Sequence, residues 1–245
     1  MRLSDDLATS EGRAGMLLAM VRRRTRFSSA GEERAPTWTL PVPDLRRILR
    51  GPFAVTGGVA TRLFMSERLT DDLDVLLPPS ERDGAEGALR VAGAAYQGAH
   101  PAGGSRWRLP PDFPSDLPGL SPAWRALQAI VADTYDPPAS EGAWVDLLTL
   151  DAAWVPAALA QAIRGPTGLP VLALPYLILM KLTSATLDDL ADLGRMVARA
   201  DPHRWQESER IVGDHAPARL DLLAEVYRTA APHITPAPTA YDARS

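Results

Sequence analysis

The stretch from Phe53 to Leu77 constrains this chain more than any other. An apolar run, residues 52–56, predicts a strand that meets the pair Gly57–Gly58. A short helix is predicted from there to about Ser66, and a second strand over 72–77 is stopped by Pro78–Pro79. Side chains alternate along a strand, so Asp72 and Asp74 share one face while Leu73 and Val75 take the other. Two carboxylates on one rigid strand, facing a glycine turn that lets backbone approach a phosphate, suit a magnesium-nucleotide. Either element alone says little: an isolated Asp-x-Asp is ordinarily solvated decoration, and a Gly-Gly pair a tight turn. The combination is what carries information.

That combination, with Thr70-x-Asp72-x-Asp74 after the glycine pair, resembles the nucleotidyltransferase superfamily (the polymerase-beta-like fold), in its minimal AbiEii/AbiGii toxin-like branch. A second region supports the resemblance. Lys181 is the only lysine among 26 basic residues. In a chain that otherwise uses arginine, a lone lysine marks a place for a compact point charge rather than a planar fork. It stands in the apolar helical stretch Leu174 to Ala185 and is followed by Asp189 and Asp192, an Asp-x-x-Asp that looks like that branch's later motifs. The pattern departs from the family at Thr186 and Asp188, where basic residues are usual, so one phosphate-contacting cation is missing there or supplied from elsewhere.

The resemblance implies a magnesium-dependent enzyme that moves a nucleoside monophosphate from an NTP to a hydroxyl. Asp72 and Asp74 would hold one or two Mg²⁺. Gly57, Gly58 and Thr70 would cradle the triphosphate, with Arg62 and Arg68 as nearby cations, although Arg62 also reads as a plain surface cation. Lys181 would contact phosphate, and Asp189 would complete the catalytic set. Asp146, a lone acid in the apolar run 143–150, is the candidate third metal ligand; the competing reading is an edge-strand acid facing water. Three functions stay open. One is a toxin acting on RNA, such as a tRNA end, and opposed by an antitoxin protein; the others are a small-molecule (antibiotic-type) nucleotidyltransferase and a non-catalytic regulatory relative.

With 245 residues, 46% hydrophobic and 23% charged, the chain has ample material for a globular core. No apolar run approaches the roughly 20 residues needed to span a bilayer. Asp5, Asp6 and Glu11 argue against a secretory leader, and a cytoplasmic home is expected. With no cysteine, disulfides, thiolate zinc sites and cysteine nucleophiles are excluded. A net charge of −4 exerts no general pull on nucleic acid, which leaves Arg22–Arg24 with Arg26, and Arg46, Arg47 and Arg50, as local basic patches. The four histidines show no metal-ligand spacing.

The expected architecture is α/β (α+β): a small mixed sheet packed by helices, with helical extensions at both ends. Residues 1–50 read as an N-terminal helical extension and linker, 51–200 as the nucleotidyltransferase core, and 201–245 as C-terminal helices with a Pro- and Ala-rich tail. Helices are expected over 4–24, 81–97, 121–132, 152–164 (capped by Asp151), 174–185 and 187–200, with two more across 202–230. Further strands are expected at 106–109, 143–150 and 170–173.

Overall fold

The computed structural model describes residues 43–64, 72–111, 113, 143–165, 168–200 and 202–230. Thr70 and Arg68, the helices expected at 4–24 and 121–132, the arginines at 22–26 and the tail from 231 lie outside the described residues. Within these limits the chain divides into two compact units: a sheet unit within Thr37–Ala60 and Leu69–Leu172, and a helical unit within Met1–Pro36, Thr61–Arg68 and Ala173–Ser245.

The mixed α/β reading is correct, and the described sheet has seven strands. They are β1 (Ala54–Val55), β2 (Asp72–Leu77), β3 (Ala95–Ala99), β4 (Gly104–Arg108), β5 (Trp144–Thr149), β6 (Ile163–Arg164) and β7 (Pro170–Val171), in the order β3-β4-β5-β2-β1-β7-β6. The pairs β2/β5 and β1/β7 are parallel, and the rest are antiparallel. The sheet unit also carries α1 (Gly57–Thr61, at its margin), α2 (Arg82–Val91) and α3 (Val155–Ala160).

The two faces of the central strands differ in chemistry. Leu73, Val75, Val145, Leu147, Ser105 and Trp107 are buried on one face. There the Trp107 indole N–H donates to the Ser105 hydroxyl at 2.8 Å, which satisfies the one polar group this large side chain brings into the core. The opposite face carries Asp72, Asp74, Asp146 and Arg106, the residues two apart from one another on their strands or in register across them.

Several boundaries differ from the sequence reading. The helix expected over 81–97 ends at Val91, and Ala95–Ala99 is a strand. The chain leaves the helix through Ala92 and Gly93, and the Ala94 N–H closes back on the Leu89 carbonyl at 2.9 Å. The pattern of the following residues was then free to pair with β4. The helix expected over 152–164 spans only Val155–Ala160, since Ile163 and Arg164 pair with β7. Trp154, not Asp151, is its N-cap residue, and the cap uses no side chain. Strand β1 covers two residues of the five expected.

The helical unit contains α4 (Leu174–Ser184), α5 (Leu187–Arg199), α6 (Pro202–His215) and α7 (Leu220–Ala230). Helix α4 is apolar almost all round and buries Leu174, Tyr176, Leu177, Ile178, Leu179 and Leu182, as expected of a helix at the centre of its unit. Helix α5 is amphipathic and buries Ala191, Leu193, Met196 and Val197. Among the described residues no helix is long and apolar enough to cross a membrane.

Candidate active site

Asp72 and Asp74 begin β2, both half-buried, with buried Leu73 between them. The face-sharing expected from alternation is therefore observed. Asp74 packs directly against the glycine turn. Gly57 has φ +58°, and a Cβ placed on it would lie 1.7 Å from the Asp74 Oδ2 atom. Only glycine permits both the left-handed backbone and the close approach of this carboxylate. The turn continues into α1, and the Thr56 N–H donates to the Asp74 carbonyl at 2.9 Å, which locks turn and strand together.

Asp146 sits on β5, directly in register with Asp74 across the parallel pair. It is fully buried, and β5 is an interior strand with β2 on one side and β4 on the other, so it is not a water-facing edge acid. Its carboxylate is taken by Arg106, the register partner on β4. The guanidinium donates through Nε to Oδ1 at 2.8 Å and through Nη2 to Oδ2 at 2.5 Å, the two-pronged geometry that makes arginine–carboxylate pairs strong. Nη2 also stands 4.0 Å from the Asp72 carboxylate. The hydrogen bond to Asp146, with the negative charges of Asp146, Asp72 and Asp74, holds the Arg106 pKa above its ordinary value despite partial burial. Arg106 and Arg108 both lie over the Trp144 ring, at 5.6 and 4.7 Å from its centroid.

His100 completes the group from the β3–β4 hairpin. Its Nε2 is 3.5 Å from the Asp146 Oδ2, and the Ala102 N–H donates to its Nδ1 at 3.1 Å. The hairpin can press this close because Gly104 lacks a Cβ, which would fall 1.8 Å from the Leu147 carbonyl oxygen of β5. Donor atoms from Asp74, His100 and Asp146 all lie within 4.8 Å of one another, a spacing that fits one divalent cation. Two carboxylates suit a hard ion such as Mg²⁺, and the imidazole widens the range to Mn²⁺. Neither His100 nor Arg106 is singled out by sequence: the histidine has no ligand partner nearby in the chain, and Arg106 is one arginine among many.

The later motif forms a cluster of its own inside the helical unit. The Lys181 ammonium is almost fully buried and donates to Asp189 Oδ1 at 3.0 Å and to Asp192 Oδ2 at 2.9 Å. Asp189 is also the third residue of a helix cap. Its N–H donates to the Thr186 Oγ1 at 3.2 Å, and the hydroxyls of Thr186 and Ser184 donate back to its Oδ2, each at 2.6 Å. Asp192 is fully buried, whereas Asp188 is exposed, as three- and one-residue steps along a helix require. Arg62 is not a surface cation, since only 4% of it is exposed. Arg46 is engaged by Asp44 at 2.7 Å, which weakens its patch as an open basic surface.

Burial of Asp189 works against its charge, but Lys181 and the Ser184 and Thr186 hydroxyls outweigh it, so its pKa lies below the ordinary 3.8. Such a carboxylate contributes stability that is complete above the unfolded pKa and is lost as pH falls through the folded one. Asp189→Asn is therefore expected to lower stability at neutral pH, with the gap from wild type closing as the pH is taken below about 4. Thr186→Ala is expected to cost about 1 kcal/mol at neutral pH through the lost cap. Denaturant unfolding of both variants across pH checks the pair.

No family model matches the sequence, and no curated protein sequence does. Among solved structures, the chain is similar to the antibiotic-resistance factor ANT(2″)-Ia in its solution structure, at 15% identity and a TM-score of 0.33, covering 73% of this chain and 82% of the other. It is similar at the same identity and TM-score to ANT(2″)-Ia crystallised with adenylyl-2″-tobramycin, covering 72% of this chain and 87% of the other.

Proposed function

We propose that this chain is a metal-dependent nucleotidyltransferase. The observation that carries the reading is the line Asp72, Asp74 and Asp146 across β2 and β5, with Asp74 against the Gly57 turn. In the reaction, an acceptor hydroxyl oxygen attacks the α-phosphorus of an NTP. The new phosphorus–oxygen bond forms as the bond to the β-phosphate breaks, pyrophosphate leaves, and the hydroxyl proton passes to solvent or a nearby carboxylate. The chain needs to form no covalent bond; its task is positioning and electrostatics.

Asp74 and Asp146, with His100 beside them and Asp72 on the same face of β2, are the residues that would hold Mg²⁺. Bound there, the ion supplies Lewis acidity, easing deprotonation of the hydroxyl and neutralising charge on the leaving pyrophosphate. Gly57 and Gly58 offer backbone to the triphosphate without a side chain in the way. Thr70, Arg68 and Arg62 enter the proposal from the motif resemblance, as phosphate contacts. Lys181 and Asp189 enter in the same way, with two of the three ammonium N–H groups of Lys181 already committed to carboxylates.

The acceptor this reading favours is an RNA hydroxyl, a tRNA end first of all, with an antitoxin protein as natural opponent; it rests on the toxin-like motif order. A hydroxyl-bearing antibiotic is the small-molecule alternative. Purified protein incubated with Mg²⁺ and each labelled NTP, in parallel with total RNA and with tobramycin, distinguishes them by which acceptor gains label. Asp72→Asn or Asp74→Asn is expected to reduce labelling at least about 100-fold, or about 2.7 kcal/mol of barrier. Wild-type labelling in both variants removes the acids from the reaction.

A further inference from the structure

We propose that Arg106 is the resident counter-cation of the acid cluster, and that a divalent cation and Arg106 compete for Asp146. The inference rests on the metal-dependent reading above and adds a residue to which neither the motif nor the comparisons give a role.

Both oxygens of Asp146 are already used by the Arg106 fork, at 2.8 and 2.5 Å. Asp146 is fully buried, so an ion that reaches its carboxylate meets the guanidinium at the same two oxygens. The Arg106 side chain, by contrast, is 42% exposed. Of the two partners, only the arginine has somewhere to go.

The position of the guanidinium matters as much as its bond. With Nη2 bound to Asp146 and 4.0 Å from Asp72, it lies among the carboxylates a metal would use, and its positive charge opposes a second cation there. It also keeps a buried carboxylate from standing unpaired, which is costly in a low-dielectric site. In this arrangement the sheet is stable without metal, and ion binding includes breaking at least one prong of the fork. Released from Asp146, Arg106 is an exposed cation beside the acid cluster.

The test is Mn²⁺ binding to the full chain without nucleotide, followed by the free-ion electron paramagnetic resonance signal. Arg106→Gln keeps hydrogen-bond donors for Asp146 but removes the charge and the fork. It is expected to bind Mn²⁺ roughly tenfold more tightly than wild type, a difference of about 1.4 kcal/mol. Adding Asp146→Asn to that variant should cancel the gain; a gain that survives reflects charge at a distance and overturns competition for Asp146. Equal affinity in wild type and Arg106→Gln overturns the proposal while leaving the metal-dependent reading intact. Absence of Mn²⁺ binding in both removes the two together. Should Arg106→Gln fail to fold, wild-type protein still decides: saturating Mg²⁺ is expected to shift the Arg106 Nε–H resonance, assigned by its loss in Arg106→Lys, and an unmoved resonance overturns the proposal.

Discussion

Gly57→Ala is expected to reduce nucleotidyl transfer at least about 100-fold and to destabilise the sheet unit by about 1–2 kcal/mol. Two independent strains act at this position. An L-residue at φ +58° occupies the left-handed region, where Cβ crowds the following carbonyl. The new Cβ would also fall 1.7 Å from Oδ2, 2.4 Å from Cγ and 2.8 Å from Cβ of Asp74, so the carboxylate has to rotate away. The first strain appears in folding and the second in catalysis. Asp74→Asn keeps the shape of the side chain and relieves no strain, so it should lose activity with little loss of stability. Denaturant unfolding and labelled-NTP turnover of the two variants separate these effects. Near-wild-type turnover in Gly57→Ala would show that the contact between turn and acid is only packing.

Lys181→Met should destabilise the helical unit by up to about 3 kcal/mol, because it removes the ammonium that donates to the fully buried Asp192 at 2.9 Å and to Asp189 at 3.0 Å. The substitution is nearly isosteric, so lost packing contributes little. The informative partner is Lys181→Met combined with Asp192→Asn, which also removes the buried negative charge facing the lysine while keeping a polar side chain for its other contacts, and is expected to recover part of the stability. Activity in that double variant then tests the phosphate role of Lys181 apart from its structural one. Stability restored with transfer still absent assigns the lysine to the reaction. Stability and transfer restored together make its task the joining of α4 to α5. Lys181→Arg is a weaker test, since the planar fork has to fit where a compact ammonium meets two carboxylates from one turn of helix.

Local rules were enough for a defined part of this molecule. The alternation that puts Asp72 and Asp74 on one face needs only the period of a strand, and β2 runs over the residues expected, 72–77. The three-residue step that aims Asp189 and Asp192 at one target, with Asp188 outside, needs only the period of a helix. The left-handed turn at Gly57 is what a glycine pair after an apolar strand suggests.

The remainder was decided by strand order. β5 follows β4 in sequence by more than thirty residues, yet it lies between β4 and β2, and that insertion sets Asp146 beside Asp74 on one side and beside Arg106 on the other. No spacing in the chain encodes this, because register across strands is set by which apolar faces pack together and by where hairpins turn. His100 reaches the cluster only because Gly104 lets its hairpin lie against β5. The stretch 95–99 is a strand for the same reason: its short-range pattern suited a helix, and pairing with β4 gave its backbone groups partners that another turn of helix could not combine with covering the sheet edge. Periodicity is written residue by residue and is legible in the chain, whereas the neighbours of an acid on an interior strand depend on contacts distant in sequence and exist only once the sheet has formed.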